Sequence, residues 1–160
     1  MTLSKRTRAL VALLAIAVPA GTAYAATPDS HAGHVHGRTI HLREATEVPK
    51  PAYLDLDKPG PTVGDVVVVT DRLLDDDGRD AGSLRQVCTL TEPGSSPFTS
   101  GFECSGSVAL HDGTIAVEGP FVPTTPEQAQ AVTGGMGAFA TARGDATIRA
   151  EADDITVRLR

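Results

Sequence analysis

The 160-residue sequence contains no tryptophan, only two tyrosines and only four phenylalanines. Proteins that hold single-stranded nucleic acid stack bases on aromatic rings and neutralise phosphates with Lys and Arg. Here 14 Lys and Arg face 20 Asp and Glu, so both requirements fail and nucleic acid is not an expected partner. Two cysteines are too few for a zinc ribbon or a dense disulfide frame. The glycine-rich phosphate loop and the nucleophile elbow are absent as spaced motifs. Asp75-Asp76-Asp77 lacks the alternating oxygen ligands of a calcium loop. Long apolar runs are missing too: the only candidate, Ala9 to Ala20, is too short to cross about 30 Å of hydrocarbon.

That short run has another meaning. Lys5, Arg6 and Arg8 precede it and Ala23-Tyr24-Ala25 follows it, the order of a secretory signal peptide with its small-x-small cleavage site. Residues 1–25 are therefore expected to be removed, leaving a secreted, extracellular chain with no membrane segment. Removal takes three cations and no acids, leaving 11 Lys and Arg against 20 Asp and Glu, a net charge of −9. Residues 26–37 form a polar leader expected to be disordered. Its His31, His34 and His36 have spacing that suits copper or zinc, but the ordering entropy of a tail opposes tight binding. Residues 38–160 make one domain, long enough to bury its own core.

Within that domain the apolar period is two. Thr39 to Glu44 alternates Ile40 and Leu42 against polar neighbours, Tyr53 to Leu56 is a short extended piece between prolines, and Val63 to Leu74 is apolar on both faces at Val66 to Val69. A strand apolar on both sides is expected to be covered on both. Asp112-Gly113 between apolar runs signals a two-residue hairpin, which pairs Leu110 with Ile115, Val108 with Val117 and Gly106 with Gly119. Two cysteines in an exported chain most simply form one bridge. A Cys88–Cys104 bridge sets Leu90 against Phe102, Gln86 against Gly106 and Leu84 against Val108. Both registers put Val108, Leu110 and the cysteines on one face, the core face.

Pro120 to Gln130 reads as a loop with a helical turn starting near Pro126, where Thr125 can cap. Phe139 to Glu151 reads as a strand with Ala140, Ala142, Gly144, Ala146 and Ile148 on one side, and Ile155 to Leu159 closes the chain. The expected fold is all-β, about eight short antiparallel strands, enough to close a barrel around one small ligand. Two readings of the inward Ala and Gly positions stay open. They leave a cavity, or they let neighbouring strands cross closely.

The segment Gly134-Gly135-Met136-Gly137-Ala138-Phe139-Ala140-Thr141-Ala142-Arg143-Gly144 resembles the GG-T-G-x-F-x-x-A-R-G stretch of dirigent proteins and of the related allene oxide cyclase barrels. Gly64-Asp65 opening a strand and Asp112-Gly113-Thr114-Ile115 in a hairpin are similar to the same superfamily. The resemblance covers roughly Thr39 to Arg160. It implies an eight-stranded antiparallel, calycin-like barrel with an internal pocket, assembled as a dimer or trimer. Members of this superfamily bind apolar small molecules and need no cofactor. Plant cyclases close an unstable epoxide, and dirigent proteins orient phenoxy radicals made by a separate oxidase. Met136 stands where the family usually has Thr, and Ala138 where some dirigent proteins carry an acid. The scarcity of aromatics also argues against phenolic ligands.

The candidate site residues are Arg143, carried over from the motif, and Asp65 and Asp71. Alternation puts Arg143 on the polar face, where it pairs with Asp145 or Glu151 unless a bulge at Gly144 swings it inward. Asp65 and Asp71 lie on the doubly apolar strand. Either one aimed into a cavity would be desolvated, its pKa raised, and fit to act as a general acid or base. Otherwise each ends a strand and meets a turn amide or a cation. Glu103 and Glu118 fall on the exterior. The expected function is binding of a small apolar molecule with cofactor-independent isomerisation, cyclisation or coupling. The alternative is a non-catalytic carrier on the same barrel.

Overall fold

Alternating inward and outward side chains organise the chain into nine strands: β1 (Thr39–Glu44), β2 (Ala52–Leu54), β3 (Val66–Leu74), β4 (Asp80–Glu92), β5 (Gly101–Leu110), β6 (Gly113–Phe121), β7 (Gln128–Gly137), β8 (Gly144–Arg149) and β9 (Asp154–Leu159). The computed structural model describes residues 37–45 and 51–160. The expected signal peptide and the three leader histidines lie outside the described residues. Neighbours run antiparallel in the order β1-β9-β8-β7-β6-β5-β4-β3, and β1 pairs back onto β3 through Arg43 with Leu74 and Glu44 with Leu73. Eight strands thus close a barrel, which removes the open sheet edges. The ninth, β2, adds to β3 alone. Among the described residues the only helical pieces are the single turns Pro97–Thr99 and Ala150–Ala152.

The β4–β5 register follows the cysteines as expected: Cys88 faces Cys104, Leu90 faces Phe102, Gln86 faces Gly106 and Leu84 faces Val108. The Asp112-Gly113 turn does not form as expected. The hairpin turns on His111 and Asp112, pairing Leu110 with Gly113, Val108 with Ile115 and Gly106 with Val117. Neither turn residue has positive φ, so this is not a type I′ turn. Gly113 serves instead as the first strand residue, where β7 passes so closely that a Cβ would lie 2.2 Å from the Met136 carbonyl oxygen. The slip is two residues, so every side chain keeps its face, and Val108, Ile115 and the cysteines are buried together on the inside.

Two other expectations are corrected. The expected Pro120 to Gln130 loop is confined to residues 122–127 and holds turns but no helical turn: β6 runs through Phe121, and β7 begins at Gln128. β7 escapes the apolar period because its inward positions include Gln130 as well as Val132, both buried. The strand expected from Phe139 begins only at Gly144, because Phe139 to Arg143 turns sharply. The amides of Phe139, Ala140 and Ala142 donate to the carbonyls of Met136, Gly137 and Phe139. The barrel count of eight is right, but the strand expected around Tyr53 stands outside the barrel and β7 takes its place. The outer face of β3 is only partly covered, with Val66 and Val68 half-buried and their neighbour Val87 50% exposed.

The core is concentrated at one end. Leu73, Ile115, Phe139 and Val157 are fully buried in one cluster with Leu42, Val108 and Leu159. Each such side chain stabilises by about 1.5–3 kcal/mol relative to exposure. The Phe139 turn closes the barrel there, at the end carrying the β3–β4, β5–β6 and β7–β8 turns. A smaller cluster of Cys88, Leu90, Phe102 and Cys104 lies toward the other end, with Tyr53, Val67 and Phe121 packed on it.

The Cys88–Cys104 bridge spans 16 residues of sequence. A loop of that length constrains the unfolded chain by about 3 kcal/mol. The C88A/C104A double variant is expected to lose about that much in denaturant unfolding while keeping its β circular dichroism. Unchanged stability would place the bridge outside the energetics of the fold.

Candidate functional site

A cavity of about 550 Å³ opens at the end opposite the Phe139 turn. The inward parity of β3 delivers Val67, Val69 and Asp71 to its wall, and the inward parity of β4 delivers Leu84, Gln86 and Cys88. Glu44 reaches it from the last position of β1. Tyr53, Phe98, Phe102 and Phe121 also line it, so four of the chain's six aromatic residues gather here. This corrects the expectation of a pocket poor in aromatics. Rings are scarce in the chain but concentrated at the cavity. Phe98 stands at the mouth, 77% exposed, on a loop held by Ser100, whose hydroxyl donates to the Ser96 carbonyl (2.8 Å) and accepts from the Gly94 amide (3.0 Å).

Two carboxyls meet this apolar space. Asp71 is 5% exposed and takes no hydrogen bond from the protein among the described residues. Burial, then repulsion from Asp153, pushes its pKa up. Glu44 is pushed up to about 7, by burial first, then by Asp71 and Asp153. Among the described residues no Lys, Arg or His lines the cavity. Arg43 and Arg72, beside the two acids in sequence, are exposed, as is Arg149, which is paired with Asp154. The pair therefore shares an uncompensated negative charge in low-dielectric surroundings, where one carboxyl stays protonated more readily than two ionise.

Polar structure beside the cavity explains the inward glycines. Gln86 Nε2 donates to Gln130 Oε1 at 2.6 Å, across β5 and β6. A Cβ at Gly106 would lie 2.4 Å from Gln86 Cγ, and one at Gly119 would lie 3.4 Å from Gln130 Cγ. These glycines clear the floor on which the two amides meet. Gln130 Nε2 donates to no partner among the described residues.

Asp65 does not line the cavity. It is 1% exposed, and its carboxylate accepts from the Tyr53 hydroxyl (2.5 Å) and from the amides of Leu56 (2.9 Å) and Thr62 (2.8 Å). Those bonds, the Leu56 amide foremost, bring its pKa down to about 2. They also hold the Tyr53 hydroxyl as a donor, with burial the larger cause of a pKa near 12. Asp65 thus takes the turn-amide role and pins β2 and residues 55–62 at the mouth. Arg143 is exposed and outside the cavity, with Nη1 donating to the Ala142 carbonyl at 2.6 Å. Asp145 pairs instead with Arg158 and Arg160, and no bulge brings Arg143 inward. The structure brings Asp71 together with Glu44, a residue the sequence reading passed over. The signal was present, since Glu44 shares parity with Ile40 and Leu42. Among the described residues no cluster of three or more His, Cys, Asp or Glu could hold a metal ion.

The sequence pattern of the allene oxide cyclase barrel like domain matches residues 44–159. The chain belongs to this family. Solved structures with this barrel include a pyocyanin demethylase at 27% identity and TM-score 0.65, the alignment covering 77% of this chain and all of that one. The pterocarpan synthase dirigent protein aligns at 22% identity and TM-score 0.51, over 76% of this chain and 82% of that one. A Diels–Alderase from Streptomyces koyangensis aligns at 15% identity and TM-score 0.52, over 78% and 69%. The last two show the shared fold. No match was found among curated proteins. In this allene oxide cyclase-like barrel the matched segment runs from Glu44, the last residue of β1, to Leu159, the last residue of β9.

The two buried acids predict opposite pH behaviour. Asp65, with a lowered folded-state pKa, contributes stability in full above about pH 4 and loses it as pH falls toward 2. Asp65→Asn is expected to lower the thermal midpoint at pH 7 and to flatten this acid limb. Glu44 behaves in reverse. Its raised pKa costs nothing below about pH 4.5, and the cost grows as pH rises to about 7, reaching on the order of 2 kcal/mol after allowance for partial exposure. Glu44→Gln is expected to raise the midpoint by a few degrees at pH 8 and leave it unchanged at pH 4.5. An equal effect at both values would remove burial of the charge as its cause.

Proposed function

We propose that the protein is an exported, cofactor-independent catalyst. It holds a small, largely apolar molecule in the barrel cavity and guides its isomerisation, cyclisation or coupling, with Glu44 and Asp71 handling a proton. The observation that carries this reading is the uncompensated carboxyl pair facing an apolar cavity of about 550 Å³. A carrier of a neutral molecule on the same barrel gains nothing from ionisable groups it must desolvate, so the pair weighs against carriage of that kind.

The chemistry follows from proximity and protonation. Glu44, with a pKa of about 7, exchanges between its protonated and ionised forms near neutral pH, so it can give a proton to a ligand and take one back without an added group. Tyr53, with its hydroxyl committed to Asp65, acts as wall rather than base. The apolar walls exclude water and restrict the ligand to few conformers, so that a reactive arrangement is populated before any bond changes. Family membership supports a cyclase or coupling type of role, and the pyocyanin demethylase is, by its name, an enzyme for a small molecule on this barrel. Export is supported by the charged, apolar and small-x-small order of residues 5–25 and by the disulfide, which suits an oxidising compartment. Assembly as a dimer or trimer belongs to the same proposal.

The test is incubation of the mature protein with a panel of conjugated epoxides, linear polyenes and phenoxy radicals, resolving products by chiral chromatography. Wild type is expected to accelerate or bias at least one conversion. Asp71→Asn and Glu44→Gln, both still folded, are expected to lose on the order of 100-fold in rate, and the wild-type rate should change with pH around 7. Ligand retained by all three proteins with no conversion anywhere in the panel would return the protein to the carrier reading.

A further inference from the structure

The carboxyl pair and the aromatic lining are independent observations with a common consequence. Asp71 is 95% buried, aimed into the cavity and without a hydrogen-bond partner among the described residues. Asp71 and Glu44 face a space into which, among the described residues, no Lys, Arg or His projects. Tyr53, Phe98, Phe102 and Phe121 surround the same space, and aromatic faces attract cations through their quadrupole. An anionic ligand would meet repulsion from both features, and a neutral one would leave the buried carboxylate uncompensated. A flat cation satisfies both.

We infer that the cavity selects ligands that carry a positive charge on an apolar, ring-like body, with the charge against Asp71 and Glu44 and the body between Tyr53, Phe98, Phe102 and Phe121. The ligand class is an aromatic iminium or a quaternary heteroaromatic nitrogen. This rests on the cavity being the ligand site and deepens it by charge. Cation binding also suits the chemistry proposed above, because a positive centre acidifies the adjacent C–H bonds. The ionised carboxyl then accepts the proton, and the electron pair of the broken C–H bond moves toward the positive nitrogen and neutralises it. A protonated carboxyl can return the proton elsewhere on the skeleton, so the net change is an isomerisation that needs no oxidant or reductant. Glu44, with a pKa of about 7, is ionised at pH 8 and strengthens the attraction there.

Three bicyclic probes of nearly equal shape separate charge from size: 1-methylquinolinium, neutral 1-methylnaphthalene and anionic 1-naphthoate. Their affinities are measured at pH 8 by calorimetry or fluorescence on the folded, disulfide-bonded protein. The cation is expected to bind at least tenfold tighter than the neutral probe, with the anion weakest. Asp71→Asn and Glu44→Gln should each weaken the cation at least fivefold and leave 1-methylnaphthalene unchanged. Glu118→Gln, which removes an equal charge from the exterior, should change none of the three. Equal affinity for the cation and the neutral probe would overturn the charge selectivity and leave the cavity standing as the ligand site. Cation binding that weakens as much in the Glu118 variant as in the cavity variants would overturn it in favour of attraction to the acidic surface. Failure of all three probes to bind would overturn both readings.

Discussion

Closure of the barrel rests on a short seam. β1 meets β3 through two residue pairs only, Arg43 with Leu74 and Glu44 with Leu73, whereas β4 meets β3 and β5 along nearly their whole lengths. That seam decides where the chemistry lies. Side chains on a strand alternate faces, so pairing Glu44 with Leu73 puts it on the inward parity that Leu73 shares with Asp71, one pleat further along. The two carboxyls come from positions 27 residues apart in sequence and face one space only because the sheet closes on itself. Hydrophobic burial at the Phe139 end supplies the stabilisation that lets the open end carry desolvated charge.

Much of this was legible in the letters, because a half-buried strand writes its orientation in period two. β1 was bounded as the structure shows, the cysteines fixed the β4–β5 register, and the family segment around Gly134 to Gly144 indicated the barrel. Legibility ended where inward positions are polar or absent. Gln130 hid β7, because an amide on the core side breaks the apolar alternation and its partner Gln86 is 44 residues away. Gly113 resembled a turn residue, although its lack of a side chain serves the approach of β7. Asp65 and Asp71 looked equivalent on one strand. Only the presence of Tyr53 and the amides of Leu56 and Thr62 distinguishes an anchoring carboxylate from an unpartnered one.

The two ends of the barrel divide the labour. Packed aliphatic and Phe139 contacts at the closed end give stability, while β2, the Ser100-braced loop and residues 121–123 shape the open end. Proteins tolerate unfavourable groups at functional sites when the rest of the fold compensates. On the proposed function Glu44 and Asp71 fit that description, since their surroundings oppose ionisation and the described residues supply no cation in return.

The Phe139 plug also governs traffic. With Leu73, Val108, Ile115 and Val157 filling the far end, the chamber is a cul-de-sac. On the proposed function, a molecule that enters beneath Phe98 must back out by the same doorway, so uptake of the next waits on departure of the last.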